Sequence, residues 1–464
     1  MVSDLRRTAF DRMLATAALV AACCLSAGIA AAQQSQQEQR SQQEQDWIRC
    51  VNSAQTFAPD VAIGGCTRMI DAGDGSRSAL AGAFSNRGNA YQDKGELDRA
   101  IADYTEAIRL NPRYSIAFIN RGKAFAQKRA LDRALADYNE AIRFDPDQAT
   151  AFNNRGTVYQ EMGDLDRAIA DYEEAIRLDP KSVFAFTNHG NAYLAKGNSE
   201  RAIASYDAAI RLSPGNPTVF VNRGNAYQAK GDVDGALANY SEAIRLAPTY
   251  ASAFNNRANA YQIKGDLDRA LMDYSEAIRL DPGYAIAVNN RGNTYQRKGD
   301  LDRALADYDE AIRLNPNYAS AVNSRGLVYY NKGDYERSAL DLARGVAQRP
   351  ADAYLAMWLY LARARAGNQD AAAELETNAK KVRQTAWPYP VVELYLGRRS
   401  LAATLAAAGA PGDRCDAQFF IGEWQLLQAD RPAAIASLKG AADTCPKTFA
   451  EFRGAQAELR RLGE

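Results

Sequence analysis

Histidine is nearly absent from this chain of 464 residues, which contains a single one, His189. One histidine argues against His-based zinc sites and against a histidine-dependent catalytic triad. Net charge is also lacking, because 56 basic residues balance 56 acidic ones. A neutral chain is a poor match for nucleic acid or an acidic membrane surface. The sequence also has no Gly-rich phosphate loop, metal-ligand cluster or nucleophile motif, so we predict a protein that is not an enzyme and takes no cofactor or metal.

Long apolar runs are missing except at the N-terminus. Residues 13–25 are apolar but too short for an ordinary transmembrane span, and three arginines precede them. Small residues at 30–32, followed by Gln33, match a signal-peptidase cleavage site. We therefore predict a signal peptide over residues 1–32 and a periplasmic or secreted mature chain.

An alternative lies within the same segment. The residues "VAAC" at 20–23 resemble the lipobox of bacterial lipoproteins, with Cys23 as the lipidated residue. The residues after Cys23 stay apolar, whereas a lipoprotein tether is usually polar. Under this alternative the chain is an outer-membrane lipoprotein, and only then does it contact a membrane.

Proline recurs every 34 residues along most of the chain. The eight positions are Pro112, Pro146, Pro180, Pro214, Pro248, Pro282, Pro316 and Pro350. If proline is position 32, eight units span residues 81–352. Position 8 is Gly in seven units, position 11 is always aromatic, and positions 20 and 24 are Ala and Tyr in the first seven.

This pattern resembles the tetratricopeptide repeat (TPR) family over at least 272 residues. The resemblance implies an all-α, right-handed superhelical solenoid of stacked antiparallel helix pairs. Small residues at positions 8 and 20 would let helices A and B of a unit approach closely, and aromatic residues at positions 4, 11 and 24 would fill the space around them. One helix pair cannot bury its apolar face alone, so the units stack.

The flanking segments resemble decayed copies of the unit. We predict a polar, Gln-rich tether or frayed helix at 33–45, a capping helical hairpin at 46–80, and degenerate TPR-like helices at 353–464. The last segment would contain a ninth unit, one helix over about residues 390–408, and a final hairpin.

Cleavage after residue 32 leaves four cysteines, and an even number in an exported chain suggests disulfides. Four cysteines allow three pairings. The repeat register puts Cys50 and Cys66 at positions 8 and 24, which face each other, and puts Cys415 and Cys445 at the open ends of one hairpin. The implied bridges are Cys50–Cys66 and Cys415–Cys445, and the alternative is four reduced, buried thiols.

Asparagine recurs within the first helix of each unit although it is a poor helix former. Position 6 is asparagine in seven consecutive units: Asn86, Asn120, Asn154, Asn188, Asn222, Asn256 and Asn290. Position 9 adds Asn89, Asn191, Asn225, Asn259 and Asn293. Positions 2, 5, 6, 9 and 13 point away from helix B, and in TPR proteins this face lines the concave surface.

An asparagine side chain offers one acceptor and two donors, which match the C=O and N–H groups of an extended peptide. The position-6 row resembles the asparagine ladder of O-linked N-acetylglucosamine transferase. We therefore predict that these residues form a groove that binds proteins or extended peptides. The alternative is that the asparagines are solvated duplicates or pin neighbouring helices together.

Position 7 is arginine in seven units and position 23 is aspartate in six. The unit that has His189 instead of arginine also has Ser205 instead of aspartate. This covariation between units predicts structural Arg–Asp pairs, not a basic stripe for nucleic acid. A chaperone-docking carboxylate clamp is rejected, because positions 2 and 5 hold no basic residue and position 6 is an amide.

The C-terminal stretches "MWLYLARARAG", "WPYPVVELYLG" and "CDAQFFIGEWQLLQAD" look like those of NlpI-type envelope TPR proteins. That resemblance implies an adaptor for envelope proteases or peptidoglycan hydrolases in a Gram-negative envelope. The sequence thus predicts a non-catalytic exported scaffold. Its alternative is a lipoprotein anchored through Cys23, with an envelope assembly role that does not use the groove.

Overall fold

A computed structural model describes residues 31–38, 40–51, 57–73 and 76–464. These residues contain α-helices and no β-strand. The predictions of a signal peptide and of lipidation at Cys23 depend on residues 1–30, which lie outside the described residues. The polar stretch at 33–45 is helical wherever it is described.

The chain divides into two compact units, with the division between Pro214 and Gly215. We call them the N-terminal unit and the C-terminal unit. The helices of the N-terminal unit are α1 (helical residues 40–51), α2 (Pro59–Ala72), α3 (Arg77–Asp93), α4 (Leu97–Leu110), α5 (Ser115–Gln127), α6 (Leu131–Phe144), α7 (Ala149–Glu161), α8 (Leu165–Leu178), α9 (Val183–Ala195) and α10 (Ser199–Leu212).

The C-terminal unit begins with five repeat hairpins and continues into shorter helices. Its helices are α11 (Pro217–Lys230), α12 (Val233–Leu246), α13 (Ala251–Lys264), α14 (Leu267–Leu280), α15 (Ala285–Arg297), α16 (Leu301–Leu314), α17 (Ala319–Lys332), α18 (Tyr335–Gln348), α19 (Ala353–Arg365), α20 (Ala371–Ala379), α21 (Tyr389–Tyr395), α22 (Leu401–Ala407), α23 (Pro411–Leu427), α24 (Arg431–Thr444) and α25 (Ala450–Arg461).

Local sequence sets the ends of helices A and B in each repeat. Glycine at position 15, present in seven of the eight repeats, adopts a left-handed conformation, as at Gly163 with φ of 83°. In six repeats an aspartate or asparagine follows and caps helix B. Asp164, for example, accepts a hydrogen bond from the backbone N–H of Arg167 at 3.2 Å. Helix B ends at an extended residue such as Asp179 because the next residue is proline, which disfavours the helical conformation before it.

Consecutive helices pack as pairs, and each pair packs on the next within its unit. The predicted all-α architecture of stacked antiparallel helix pairs is therefore confirmed. In the first seven repeats, alanines at positions 20 and 27 and the tyrosine at position 24 are almost completely buried. This core runs between helices A and B and leaves positions 2, 6 and 9 of helix A partly or fully exposed, whereas position 5 is buried in six of the eight repeats.

One prediction for the C-terminal region is wrong. The single helix expected over about residues 390–408 is two short helices, α21 and α22. The chain breaks at Gly397, whose φ of 71° is incompatible with a right-handed helix, and the Ser400 hydroxyl caps a new helix by accepting from the N–H of Ala403.

The ninth hairpin and the last predicted hairpin are present as α19–α20 and α23–α24. The final helix, α25, follows them and packs against both α17 and α23. At Gly454 of α25, an added methyl group would lie 2.6 Å from the Phe419 ring, so glycine allows this close approach. The aromatic core around Trp358, Phe419 and Phe420 joins these helices into one packed end.

Candidate functional site

Glycine at position 8 brings helix A against the tyrosine at position 24. A methyl group added at Gly88 would lie 2.6 Å from the ring of Tyr104, and one added at Gly224 would lie 2.6 Å from the ring of Tyr240. Burial raises the pKa of these tyrosines well above its usual value. The tyrosines therefore stay neutral hydrogen-bond donors in the core.

Their hydroxyl groups reach the face of helix A that carries asparagine. Tyr104 donates to Oδ1 of Asn89 at 2.8 Å, and Tyr308 donates to Oδ1 of Asn293 at 2.8 Å. The same contact joins Tyr206 to Asn191, Tyr240 to Asn225, and Tyr274 to Asn259. The side-chain oxygens of the position-9 asparagines therefore already accept hydrogen bonds from the protein itself. The recurring 15-residue spacing between Asn and Tyr is the sequence signal for this contact.

The asparagines at position 6 lie beside those of the preceding repeat. In the N-terminal unit, Nδ2 of Asn120 donates to Oδ1 of Asn89 at 3.0 Å, and Nδ2 of Asn188 donates to Oδ1 of Asn153 at 3.1 Å. These bonds join adjacent repeats, which is the pinning role considered as an alternative. Each uses one N–H of a side chain that has two.

The same arrangement recurs in the C-terminal unit. Nδ2 of Asn256 donates to Oδ1 of Asn225 at 3.2 Å, and Nδ2 of Asn290 donates to Oδ1 of Asn259 at 3.4 Å. Position-5 asparagines add to the row, since Nδ2 of Asn255 donates to Oδ1 of Asn256 at 3.1 Å. The position-6 side chains remain partly exposed throughout.

Apolar side chains share this face of helix A. Position 2 carries Ile116 and Phe184 in the N-terminal unit and Ile286 in the C-terminal unit, and position 13 carries Ile263. Phe184 is 79% exposed and Ile263 is 58% exposed. The apolar residues at positions 2 and 13 were not predicted as binding residues, although the 34-residue register makes them visible in the sequence.

The arginines at position 7 are structural, as predicted. Arg155 donates through Nε and Nη2 to both carboxylate oxygens of Asp171, at 2.8 and 2.7 Å. Its Nη1 also donates to Oδ1 of Asn139 on α6 at 2.7 Å, so one guanidinium joins three helices. The same two-bond pairing occurs at Arg87–Asp103, Arg121–Asp137, Arg257–Asp273, Arg291–Asp307 and Arg325–Asp341.

The exceptional repeat replaces this ion pair with a neutral contact. Nδ1 of His189 lies 3.0 Å from the hydroxyl oxygen of Ser205. Burial lowers the pKa of His189, although the nearby Glu173 carboxylate opposes that effect. Because position 7 and position 23 are both substituted in this repeat, no aspartate is buried there without an arginine partner.

A second set of ion pairs, not foreseen from the sequence, joins neighbouring repeats at their edge. Lysine at position 14 pairs with aspartate at position 18 of the preceding repeat. The pairs are Lys94–Asp60, Lys128–Asp98, Lys196–Asp166, Lys264–Asp234, Lys298–Asp268 and Lys332–Asp302. These aspartates are mostly exposed, so each pair contributes little to stability.

Two disulfides close the ends of the described fold. Cys50 is bonded to Cys66, and Cys415 is bonded to Cys445, which is the pairing implied by the repeat register. All four cysteines are buried. Each bridge restricts a loop of the unfolded chain, and bridges of this kind contribute roughly 3 kcal/mol.

Within the described residues, no group of three or more His, Cys, Asp or Glu side chains is arranged to hold a metal ion. No helix of the described part is long and apolar enough to cross a membrane.

Comparison with known protein families matches the repeats. Tetratricopeptide repeat models match residues 85–149, 153–217, 251–284 and 274–306, and a TPR repeat model matches 224–265 and 297–333. Together these matches cover more than half of the chain. The chain belongs to the tetratricopeptide repeat family. TPR repeats are protein-interaction modules, so this TPR protein carries the fold of an interaction scaffold.

Solved TPR structures resemble parts of this TPR protein. A TPR protein from Parabacteroides merdae is 20% identical, with a TM-score of 0.45, over 53% of this chain and 98% of its own. YrrB, described as a TPR protein with an unusual peptide-binding site, is 26% identical, with a TM-score of 0.33, over 40% of this chain and 97% of its own. Pseudomonas aeruginosa pilF is 20% identical, with a TM-score of 0.42, over 48% of this chain and 99% of its own.

Proposed function

We propose that this TPR protein is a non-catalytic, exported scaffold that binds extended segments of partner proteins on the asparagine-bearing face of its helices A. We call this face, formed by positions 2, 5, 6, 9 and 13, the asparagine face. Membership of a family of protein-interaction modules supports the scaffold role. The particular face is inferred from its side chains.

The amides of the asparagine face have hydrogen-bonding capacity left over. Asn120 and Asn188 each use one N–H in the contact to the preceding repeat, which leaves a second N–H and a carbonyl oxygen. In Asn256 the carbonyl oxygen is also used, and one N–H remains. Because the position-9 oxygens already accept from tyrosines, the capacity left on the face is weighted toward N–H donors, which suit the carbonyl groups of an extended peptide.

The exposed apolar residues on the same face carry the proposal. Ile116 and Phe184 are 46% and 79% exposed in the N-terminal unit, and Ile263 and Ile286 are 58% and 49% exposed in the C-terminal unit. Amide donors would hold the backbone of a bound segment, while these side chains contact its apolar residues. Apolar burial supplies most of the free energy in such contacts, because a solvent-competed hydrogen bond contributes only about 0.5–1.5 kcal/mol.

Export is proposed on two grounds. The predicted signal peptide would direct the chain out of the cytoplasm, and two buried disulfides suit an oxidising compartment. The resemblance of the C-terminal stretches to NlpI-type proteins favours an adaptor for envelope proteases or peptidoglycan hydrolases. N-terminal analysis of the native protein separates the alternatives: Gln33 as first residue supports the soluble form, and lipid-modified Cys23 contradicts it.

The binding face is tested by capture of partners from periplasmic extract. The variant carries Phe184→Gln, Ile263→Gln and Ile286→Gln. The matched control carries Met272→Gln and Leu340→Gln, which are 71% and 64% exposed on helix B. We expect the first variant to lose the partners that the unmodified protein captures, and the control to retain them. Loss only in the control would contradict the proposed face.

A further inference from the structure

A cavity of about 200 Å³ lies within the C-terminal unit, between the end of α15, the start of α16, the end of α17 and the helix α25. Four positively charged side chains line it: Arg297, Lys447, Arg453 and Arg460. No acidic side chain is among its lining residues. We call it the basic pocket.

The charges of the basic pocket are not neutralised by the described part of the chain, where none of the four cations forms an ion pair. Arg297 donates to the backbone oxygen of Gln262 at 3.2 Å, and Arg453 donates to that of Thr448 at 2.9 Å. The contrast is strong in a chain whose repeat arginines pair with carboxylates, as Arg291 does with Asp307 at 2.7 Å. Four unneutralised cations around one small cavity make it attractive to an anion.

Arg453, which lines the pocket, has a donor that the described chain does not satisfy. Its Nε is buried and has no hydrogen-bond partner. A buried donor without a partner is costly, and a bound ion is one of the ways in which native proteins satisfy such a group. Burial lowers the pKa of Arg453 and the charge of Arg297 lowers it further, whereas Tyr308 and Glu451 oppose both effects. An anion in the pocket would relieve the repulsion between the two guanidinium groups.

The pocket continues the asparagine face. Arg297 occupies position 13 of its repeat and lies on the same side of α15 as Asn290 and Asn293, since residues spaced by three and four share a helical face. Phe452 and Leu301 add apolar surface to its lining. A segment bound along α15 would therefore reach the four cations.

We propose that the basic pocket binds a carboxylate of the partner polypeptide, either an acidic side chain or the C-terminal carboxylate. Arg297, Arg453 and Arg460 would supply the charge-assisted hydrogen bonds, which are stronger than neutral ones. The cavity volume of about 200 Å³ is enough for one acidic side chain. That the carboxylate belongs to a partner polypeptide rests on the function proposed above. That the pocket selects anions does not depend on that function.

The pocket is tested on the full chain with N-acetylglutamate as the probe. Arginine Nε–H signals are followed by NMR in protein labelled with ¹⁵N-arginine. The variant carries Arg297→Gln and Arg460→Gln, both at exposed positions, and the matched control carries Lys380→Gln and Arg383→Gln, exposed cations away from the cavity. We expect saturable shifts in the unmodified protein and the control, and affinity weaker by about tenfold or more in the variant.

Two further probes complete this test. N-acetylglutamine amide, which is neutral, should cause no saturable shift, whereas inorganic phosphate should compete with N-acetylglutamate for the same site. Equal shifts with the neutral probe, or saturation by phosphate alone, would overturn the proposal. Because no partner protein is used, failure of the asparagine face would leave this result unchanged. Partner segments with a free or an amidated C-terminus then distinguish the two carboxylate sources.

Discussion

Tyr330 donates its hydroxyl hydrogen to Oε2 of Glu423 at 2.7 Å, in a contact that ties the last repeat helix A to α23. Both side chains are fully buried, and the other oxygen of Glu423 has no hydrogen-bond partner. Burial and the nearby Glu458 raise the pKa of Glu423. A protonated Glu423 fits this environment, because a neutral carboxyl group costs far less to bury than a charged one.

We predict that the C-terminal unit loses stability as pH rises. Burial raises the pKa of Glu451 to about 7. Since its folded pKa lies above the unfolded value, its contribution is complete below about pH 4.3 and is lost as pH rises through about 7. That shift corresponds to roughly 3.5 kcal/mol. Denaturant unfolding at about pH 5 and pH 8.5 should show the fall, and Glu451→Gln should reduce it.

The control for this prediction is Glu374→Gln, at a carboxylate that is only half-buried. It should leave the pH profile unchanged. If Glu451→Gln is less stable than the unmodified protein above pH 8, the carboxyl group is stabilising in its charged form and the assignment is wrong.

Arg129 stands at position 15, where the other seven repeats have glycine, and its φ is 61°. This left-handed conformation costs a side-chain-bearing residue about 1 kcal/mol. Arg129→Gly should therefore stabilise the N-terminal unit by roughly 0.5–1 kcal/mol, after loss of the exposed ion pair with Glu161. Denaturant unfolding measures the change. Gly163→Ala, the reverse change at the equivalent turn, should destabilise the N-terminal unit. If both substitutions change the free energy of unfolding in the same direction, this explanation is contradicted.

The Arg155–Asp171 pair provides a test of the structural role of position 7. Asp171→Ser leaves a partly buried guanidinium without its carboxylate and should cost about 2–3 kcal/mol of unfolding free energy. Asp166→Ser, at an exposed carboxylate in the same repeat, should cost less than about 1 kcal/mol. The double change Arg155→His with Asp171→Ser copies the natural pair of the next repeat.

That double variant should be more stable than Asp171→Ser alone, because no unpaired charge remains buried. Chemical denaturation of the three variants measures this. A double variant no more stable than the single one would mean that the two positions do not act as a pair.

The repeats were predictable because each contact within them recurs at a fixed spacing. Gly88 meets Tyr104 and Arg87 meets Asp103 at separations of 16 residues, and the same separations return in later repeats. The register alone therefore placed Cys50 against Cys66, also 16 residues apart. Periodicity turns a tertiary contact into a pattern that one sequence reveals.

The C-terminal region offered no such period. Tyr330 and Glu423 are 93 residues apart, and their contact appears once. The same holds for Arg365 and Glu458, which pair at 2.6 Å across another 93 residues. Nothing in the sequence signalled that α25 returns to α17, and hence the basic pocket, built from both, was also not foreseen. At the asparagine face, the 15-residue spacing of asparagine and tyrosine was visible in the sequence, whereas the bonds between amides of neighbouring repeats were not.

The central claim is that the asparagine face binds partner proteins, and the most direct measurement is the affinity of a captured partner's binding segment for the variant Asn154→Ala, Asn188→Ala, Asn222→Ala and Asn256→Ala. Four lost hydrogen bonds at about 0.5–1.5 kcal/mol each predict an affinity weaker by about 30-fold or more. Alanine is the better helix former, so the fold should persist, with a modest drop in Tm from the lost contacts between repeats. Unchanged affinity in a folded variant would contradict the claim.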